Sequence, residues 1–480
     1  MGAQKTIGRR MFVGGLAASG LSGQVKSAPM SPPPPPDVTR TLARWIVGAK
    51  YEALPEPVRK EALRTMLNWT GCAVGGARHE TLDIAIAALS PFAGAGQATV
   101  LGRKERLDVM HAALMNGISS HIFDYDDTHL RTIIHPAGPV ASALLALSEY
   151  HPISGHEFLN ALVVGVETEC RIGNAVYPAH YDAGWHITGT VGPFGAAAAV
   201  GKVLGLNEQQ MVWALGLAAV QPVGLKEMFG SMTKSFHPGR AAQNGLTAAF
   251  LASKNYTSSD HGLEAKTGWA NVLSTERKWD EIVGKLGETY QISLNTYKPY
   301  ACGVVNHPAI EGAILLRDQY KLKTDQIRRI ELRVNPLVPQ LTGKKDPQTG
   351  LEGKFSIYHA TAVALDQGAA GEKQFSDALV QDPRMIALRD RVTAIVDKSV
   401  HEDQVNIAIT LKDGRRFEMF VEHVLSSLGN PMSDAQLETK FLDLADGVIP
   451  AAQARRLMGL CWDLEQLESA SEIARAGAAA

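Results

Sequence analysis

The chain has 480 residues, a formal net charge of −2 at pH 7, and 45% apolar residues. This length exceeds what one hydrophobic core usually supports, so we expect a globular protein of two or three domains. The near-zero charge and the lack of a basic tract argue against nucleic-acid binding. The four cysteines (Cys72, Cys170, Cys302 and Cys461) are scattered and form no CxxC pair. Their spacing argues against a zinc site and against a disulfide framework.

The N-terminus has the composition of an export signal. Arg9 and Arg10 precede a small, uncharged apolar run from Met11 to Leu21, with small residues just before Ala28. The run is too short to span a bilayer. We predict that residues 1–28 are a twin-arginine signal peptide and that the mature protein is periplasmic, or cytoplasmic if the signal is not used. Residues 29–37 contain five consecutive prolines, which predicts a stiff linker.

Helical patterns dominate the next part of the chain, and we predict a helical domain over residues 38–269. The segments are rich in Ala, Leu and Val, which indicates closely packed helices. The predicted helices are Glu56–Cys72, His156–Val176, Gly192–Leu206, Glu208–Val220 and Arg240–Lys254.

Strand patterns then appear, and residues 270–425 are predicted to form a smaller α+β lid domain. Ile327–Val334 alternates apolar and charged residues, and Val405–Val421 alternates on both sides of an Asp-Gly turn, as in a hairpin. Residues 426–480 return to helices, over Asp434–Leu444 and Ala451–Leu467, which we expect to pack on the first domain. The fold class is therefore mainly α, with a lid inserted before the C-terminal helices and no membrane span.

The stretch from His121 to His135 concentrates ionisable residues. It holds three histidines and three aspartates and follows an apolar helical run. If the helix continues, His121, Asp124 and Thr128 share one face. His135 precedes a proline and is expected on a loop. Such clusters at helix ends often carry acid–base chemistry, although a solvated helix terminus is an equal alternative.

Two further turns place polar residues at helix starts. His186 lies in a glycine-flanked turn before a helix, where free N–H groups could bind an anion or simply be capped. Lys234, His237 and Arg240 are expected just ahead of another helix. Cations there oppose the helix dipole, which favours a carboxylate or phosphate ligand.

Two more cationic turns follow. Lys298 and His307 lie in one that is rich in proline and glycine. Another begins at Lys354 and ends near Tyr358, whose hydroxyl could transfer a proton.

Other kinds of site fit less well. Neither a GxxxxGK[ST] phosphate loop nor a GxSxG nucleophile turn occurs. Asp124, Asp126, Asp127, His129 and His135 could ligate a divalent ion, but HxxxH and HExxH spacings do not occur and a metal would not explain the lysines. We therefore predict no metal.

These motifs, taken in order, resemble the MmgE/PrpD family, which includes 2-methylcitrate dehydratase, cis-aconitate decarboxylase and iminodisuccinate epimerase. The resemblance runs from Val38 to Leu467. Its motifs are Leu67–Gly71, Asp124–Thr128 with His135-Pro136, the turn at His186, Lys234–Gly239, Lys298-Pro299-Tyr300 with His307-Pro308, Lys354–Tyr358, and Pro431-Met432-Ser433 with Lys440-Phe441. It implies a homodimer, a cleft between the two domains, a di- or tricarboxylate substrate, and neither metal nor organic cofactor.

The resemblance also implies roles for individual residues. Lysines would neutralise substrate carboxylates and stabilise developing enediolate charge, and a histidine would move the proton. Tyr358 would protonate a leaving hydroxyl or the product carbon. The predicted catalytic residues are His135, His186, Asp124 and Tyr358, and the predicted substrate-binding residues are Thr128, Lys234, Lys298, His237 and His307.

The sequence departs from the decarboxylase pattern at two positions. His135 follows Thr128 by seven residues where six are expected, and Gly303 stands where a histidine is expected. Both departures argue against decarboxylation. We therefore predict loss of water from a 2-methylcitrate-like substrate, with decarboxylation or epimerisation as the alternatives. A further alternative is a carboxylate-binding protein without catalysis. Such a protein would need the lysines, but it would not need His135 together with Asp124.

Overall fold

The computed structural model describes residues 37–479. The predicted signal peptide and all of the predicted linker except Asp37 lie outside these residues. None of the helices described is both long and apolar enough to cross a membrane.

Most of the described chain is helical. Between residues 38 and 283 the helices are α1 Val38–Gly48, α2 Glu56–Gly76, α3 Glu80–Leu89, α4 Val109–His121, α5 Ala137–Ser148, α6 Gly155–Val176, α7 Ala179–Asp182, α8 Ile187–Val203, α9 Glu208–Ala219, α10 Thr233–Ser253, α11 Trp269–Leu273 and α12 Trp279–Val283. They are followed by α13 His307–Tyr320, α14 Leu337–Thr342, α15 Gly350–Gly353, α16 Ile357–Gln367, α17 Asp377–Val380, α18 Pro383–Arg389, α19 Asp434–Ala445, α20 Ala451–Trp462 and α21 Ser471–Ala476.

The strands are fewer and form three small sheets. They are β1 Ala98–Thr99, β2 Arg106–Leu107, β3 Asp127–His129, β4 Asn295–Tyr297, β5 Ile327–Val334, β6 Val392–Val396, β7 Val405–Leu411 and β8 Arg416–Val421. β1 pairs with β2 and β3 with β4, while the third sheet has the order β6-β5-β7-β8. Only the β5–β6 pair of that sheet is parallel. The predicted mainly α fold with a small α+β portion is confirmed.

Two helices begin earlier than predicted, and each of them contains a proline near its start. Pro193 lies within α8 and Pro238 within α10, whereas the sequence pattern suggested that helices begin only at Gly192 and Arg240. A proline interrupts the helical hydrogen-bond ladder, since it has no N–H for the carbonyl four residues earlier. In α8 that carbonyl, on Gly189, instead accepts a hydrogen bond from the Val223 N–H, at 3.2 Å.

The buried apolar side chains form two clusters. The larger one combines side chains from α1 to β4 with side chains from α19 to α21, and the smaller one comprises residues 301–424. The C-terminal helices therefore share a core with the N-terminal ones; Phe441 of α19, for example, packs against Gly71 of α2. The last predicted helix is shorter than expected, since α20 ends at Trp462 and a 3₁₀ turn follows.

Helices α4 and α10 cross at unusually short range. A Cβ atom on Gly117 of α4 would overlap the Cα of Gly239 in α10, and a Cβ on Gly239 would overlap the Leu114 carbonyl oxygen. Only glycine permits this approach. The crossing brings the start of α10, with Lys234, next to the end of α4, with His121.

Candidate active site

The site is built around the loop that follows α4. The helix ends at His121 instead of continuing to Thr128, because Asp124 adopts a left-handed backbone conformation with φ 50° and Thr128 belongs to β3. The prediction that Asp124 and Thr128 share a helix face is therefore wrong. Aspartate tolerates this conformation better than most residues. The turn directs the Asp124 carboxylate into the protein, where it is buried.

Two lysines converge on Asp124. The Lys234 ammonium lies 2.6 Å from Asp124 Oδ1, and the Lys298 ammonium lies 3.0 Å from the same oxygen. Lys298 also donates to the Asp124 backbone carbonyl, at 3.0 Å. Lys298 directly follows β4, whose pairing with β3 brings it to this loop. Lys234 lies in the first turn of α10, not ahead of the helix as predicted.

The two lysines keep Asp124 in its charged form. Burial alone would raise the pKa of Asp124, but the two ammonium groups hold it well below its usual value. Burial also lowers the pKa of Lys234, and the carboxylate of Asp124 opposes that shift. Asp124 Oδ2 has no hydrogen-bond partner among residues 37–479. Two cations thus share one carboxylate in a site largely closed to water.

His121 connects Lys234 to a second aspartate. Its Nε2 lies 2.8 Å from the Lys234 ammonium, and its Nδ1 lies 2.7 Å from Asp126 Oδ2. An ammonium group can only donate, so Nε2 is the acceptor and Nδ1 carries the proton in the neutral ring. Burial lowers the pKa of His121, and Lys234 lowers it further while Asp126 opposes the shift. His121 is therefore a neutral bridge.

His135 has its reactive nitrogen fixed by the backbone. It lies on a loop, as predicted, with its Nδ1 2.7 Å from the Asp127 carbonyl oxygen. A carbonyl only accepts, so Nδ1 carries the proton and Nε2 keeps its lone pair in the neutral ring. Burial lowers the pKa of His135 far below its ordinary value; Lys298 lowers it further, while Asp126 partly opposes the shift. His135 is thus a base whose Nε2 is available for chemistry.

His186 and His237 form a histidine pair. His186 directly precedes α8, as predicted, and its Nδ1 lies 2.8 Å from Nδ1 of His237, a residue of α10. One ring must donate and the other accept. Burial lowers the pKa of His237 to about 3 and lowers that of His186 well below its ordinary value. Both rings are therefore neutral near pH 7.

These groups surround a small cavity between the two apolar clusters. Its volume is about 30 Å³, which is far below the few hundred Å³ of typical ligand sites. The substrate therefore requires the two walls to move apart. The cavity is lined by Asp124, Ile133, His135, Tyr181, His186, Phe229, Lys234, Lys298, Gly303, Val304, Val305, Leu341, Thr342 and Phe355.

Four of the predicted site residues do not line this cavity. Thr128 lies behind His135, with its hydroxyl 3.3 Å from His135 Nδ1, and His237 lies behind His186. His307 begins α13 and its Nε2 faces the Cys302 carbonyl, at 3.4 Å. Tyr358 belongs to the first turn of α16, not to a loop, and its ring packs near Lys345. These positions suit Thr128 and His237 for orienting the two cavity histidines.

Sequence reasoning passed over several residues of the site. His121 and Asp126 lie in the stretch that was singled out, but only the turn at Asp124 decides which side chains point inward. The sequence pattern gave no sign of Phe229, and its ring stacks on Phe355 with 5.2 Å between centroids. Lys440 also went unnoticed as a site residue. Its ammonium donates to the backbone carbonyls of Tyr125 and Lys298, at 2.6 and 2.9 Å.

Within residues 37–479, two groups of side chains could offer ligands to a metal ion. One consists of His121, His135 and His186, and the other of His121, Asp124 and Asp126; within each group the ligand atoms lie within 4.8 Å of one another. However, the Lys234 ammonium already contacts both His121 and Asp124, and it would repel a cation placed there. The donor set therefore fits an anionic ligand better than a metal ion.

Comparison with known families identifies this architecture. Residues 40–282 match the family model of the MmgE/PrpD N-terminal domain, and residues 300–464 match that of the MmgE/PrpD C-terminal domain. The chain belongs to the MmgE/PrpD family. The predicted family is therefore confirmed, and the two matched regions meet near Lys298, where the cavity lies.

The relatives of this MmgE/PrpD protein include two kinds of lyase. It is 28% identical over 468 residues to the "Cis-aconitate decarboxylase-like protein oryM" of Aspergillus oryzae, covering 92% of this chain and 97% of the relative. It is 28% identical over 460 residues to the human cis-aconitate decarboxylase, with coverages of 91% and 93%. It is 23% identical over 417 residues to the 2-methylcitrate dehydratase of Salmonella typhimurium, with coverages of 77% and 82%. The prediction of a lyase is confirmed, and the decarboxylases match more of the chain than this dehydratase does.

Proposed function

We propose that this MmgE/PrpD protein decarboxylates an unsaturated tricarboxylate of the cis-aconitate class. The observation that carries the proposal is the convergence of Lys234 and Lys298 on Asp124 beside His135. The stronger match to decarboxylases supports this alternative over loss of water, which we predicted first.

The two lysines have donor capacity left for a substrate. Each ammonium has three N–H bonds, and within residues 37–479 each makes two polar contacts: Lys234 with Asp124 and His121, Lys298 with the side chain and the carbonyl of Asp124. The remaining N–H of each lysine can bind a substrate carboxylate.

The chemistry follows from the substrate. In cis-aconitate a carboxymethyl group is attached to a carbon–carbon double bond. When its C–C bond to the carboxylate breaks, CO₂ leaves and the electron pair spreads over an allyl anion and into the carboxylate at its far end. The lysines would stabilise that charge. A proton must then be added at the far carbon of the allyl system.

His135 is the proposed proton donor. Its Nε2 is unprotonated in the empty site, because burial and Lys298 lower its pKa. A bound trianion would raise that pKa, so His135 would take up a proton as the substrate binds and deliver it to carbon after CO₂ has left. The Asp127 carbonyl, which holds Nδ1, would keep Nε2 directed at the substrate.

The two departures from the decarboxylase pattern are compatible with this role. The additional residue between Thr128 and His135 is accommodated in a turn in which Ile133 has φ 60°, and the two side chains still lie 3.3 Å apart. Gly303 lines the cavity, and a Cβ there would lie 2.8 Å from Thr342 Cγ2. The wall at Gly303 therefore has no room for a histidine unless Thr342 moves.

Loss of water remains a second candidate. The lone pair on His135 Nε2 would suit abstraction of a proton next to a carboxylate, and one of the relatives is a 2-methylcitrate dehydratase. In that case the lysines would stabilise the enediolate before hydroxide departs.

Proton NMR in D₂O separates the two reactions. The purified full chain is incubated with cis-aconitate, 2-methylcitrate or citrate in separate tubes. We expect cis-aconitate to lose its vinyl signal and to give a terminal methylene pair with one deuterium at the new sp³ carbon. Consumption of a hydroxy acid only would favour dehydration. Unchanged spectra with all three would refute the proposal, and His135→Gln serves as the inactive control.

The predicted homodimer and the predicted export to the periplasm belong to the proposal as well. Light scattering coupled to size-exclusion chromatography tests the first, and cell fractionation of the full chain tests the second.

A further inference from the structure

A second, larger cavity adjoins the catalytic one. Its volume is about 320 Å³. Ile133, Val304 and Val305 line both cavities, so these three side chains form the partition between them. Both cavities lie between the larger and the smaller apolar cluster. The outer cavity therefore opens directly onto the catalytic cavity when these three side chains move.

The lining of the outer cavity is mainly apolar. Beyond the partition its walls include Leu130, Tyr177, Leu337 and Val424, and the charged or titratable lining side chains Glu402 and His423 are exposed to solvent. A cavity that admitted only a small trianion would not need apolar walls. Apolar walls bind apolar groups, since burial removes both surfaces from water.

The charges at the outer end also determine how a ligand would lie. Glu402 and Asp403 line the outer cavity, with His423 Nδ1 3.3 Å from Asp403 Oδ2. These carboxylates would repel a polycarboxylate, whereas Lys234 and Lys298 attract one in the inner cavity. A ligand with carboxylates at one end and an uncharged chain at the other would therefore bind in one orientation only.

We propose that the natural substrate is a tricarboxylate carrying an alkyl chain of several carbons, longer than a methyl group, with its carboxylates at Lys234 and Lys298 and its alkyl chain in the outer cavity. This inference rests on the proposed function. Val304 and Val305 of the partition directly follow Gly303, which lines the inner cavity, so a chain that passes the partition starts next to the carboxylate site.

The first test measures binding without turnover. Propane-1,2,3-tricarboxylate has no double bond and no hydroxyl, so it undergoes neither reaction. Its homologues with a methyl or butyl group at C1 or at C2 are titrated into the full chain by calorimetry. Each buried methylene contributes about fourfold to affinity. We expect the better butyl isomer to bind at least about tenfold more tightly than the parent compound.

Variants of the outer wall test where the chain lies. Leu130→Gln and Leu428→Gln remove apolar contacts without adding charge; Leu428 is 50% exposed, so its substitution does not threaten folding. In both variants the ratio of the butyl to the parent affinity should fall several-fold towards one. Phe92→Gln, at an 80% exposed position away from both cavities, should leave the ratio unchanged.

The outcomes separate this inference from the proposed function. If the parent compound binds and cis-aconitate turns over, while both butyl isomers bind no better, the inference is refuted and the function stands. A butyl preference that survives both wall variants also refutes it. If none of the compounds binds and cis-aconitate is not consumed, both proposals fail together.

Discussion

Asp124 is a carboxylate that two buried ammonium groups share, and its removal should expose their mutual repulsion. In Asp124→Asn, Lys234 and Lys298 lose their common partner inside a site that water scarcely reaches. We expect a loss of about 3–5 kcal/mol in the free energy of unfolding, as found when a buried ion pair loses one member. Urea denaturation at pH 7 measures it.

A double variant distinguishes charge from packing. Asp124→Asn combined with Lys234→Met removes one anion and one cation, so it should be more stable than Asp124→Asn alone, yet still inactive. If the double variant is less stable than the single one, the repulsion between the lysines is not the cause of the loss.

Asp127 predicts a pH dependence of stability. Burial, together with the charge of Asp126, raises its pKa to about 7, and its Oδ2 accepts hydrogen bonds from Asn295 Nδ2 and the Ala137 N–H. In the unfolded chain an aspartate titrates near pH 4. The contribution of Asp127 to the free energy of unfolding should therefore fall as pH rises from about 4 to about 7, because only the unfolded state releases this proton readily.

The substitution Asp127→Asn should abolish that loss. An amide keeps the acceptor oxygen for Asn295 and Ala137 but does not titrate. Between pH 4 and pH 7 the stability of the variant relative to the wild type should improve by about 2–4 kcal/mol, measured from urea midpoints. If the free energy of unfolding changes with pH in the same way in both proteins, Asp127 is already charged in the folded state and the prediction is wrong.

Among the elements, the α4–α10 crossing controls the distance between His121 and Lys234. In Gly117→Ala the new methyl group would overlap Gly239, so the helices must separate. We expect a loss of about 1–3 kcal/mol in the free energy of unfolding and a fall in kcat, because the 2.8 Å contact between Lys234 and His121 would lengthen.

Gly459→Ala is the matched control for this prediction. Gly459 lies inside α20, where a Cβ would meet nothing within 4 Å. This substitution should raise stability by about 0.5–1 kcal/mol without affecting kcat. Equal effects of the two substitutions would mean that the crossing has no tight contact.

Lys440 of α19 should act as a positioning residue. It lies outside the cavity, but its ammonium joins the carbonyls of Tyr125 and Lys298 with the Asn68 side chain, at 2.6–2.9 Å. Lys440→Met would leave these acceptors unpaired and release both loops, so we expect kcat to fall more than KM rises. Lys60→Met is the control, since the one ion pair that Lys60 makes within residues 37–479 is an exposed one with Asp434. Equal kinetics of the two variants would contradict the role.

Most elements could be predicted from periodicity, whereas the turns could not. The hairpin of β7 and β8 and the helix from Glu56 follow from apolar spacing, which local sequence determines. The starts of α8 and α10 were missed because their prolines suggest helix boundaries. The turn at Asp124 depends on tertiary contacts with Lys298, 174 residues away, and sequence periodicity contains no information on such contacts.

The candidate site, too, could be predicted from the sequence only in part. Asp124, His135, His186, Lys234 and Lys298, all of which line the cavity, were inferred from the ordered motifs. Lys440 reaches the site from a helix whose own pattern shows only an ordinary amphipathic face. Thr128, His237, His307 and Tyr358 lie in the same motifs but face other neighbours, and only the folded backbone separates the two sets.

For the whole molecule, the small catalytic cavity predicts that opening limits substrate binding. Phe229 and Phe355 both line the cavity, and their stacked rings close it. In stopped-flow mixing, the observed binding rate should reach a plateau at high ligand concentration, set by the rate of opening. Phe229→Ala should raise the plateau several-fold. A rate that rises linearly with concentration in the wild type would mean that the site is already open.

The pairing of β3 with β4 determines when the site can form. Asp127 pairs with Tyr297, and Lys440 of α19 joins the loops at Tyr125 and Lys298. During synthesis on the ribosome, Asp124 emerges long before Lys298 and longer still before Lys440. The helices that are synthesised early therefore contain Asp124 without its full set of lysine partners until nearly the whole polypeptide has been translated. Catalytic competence should appear abruptly in the last tenth of synthesis, and a nascent chain stalled before α19 should be inert.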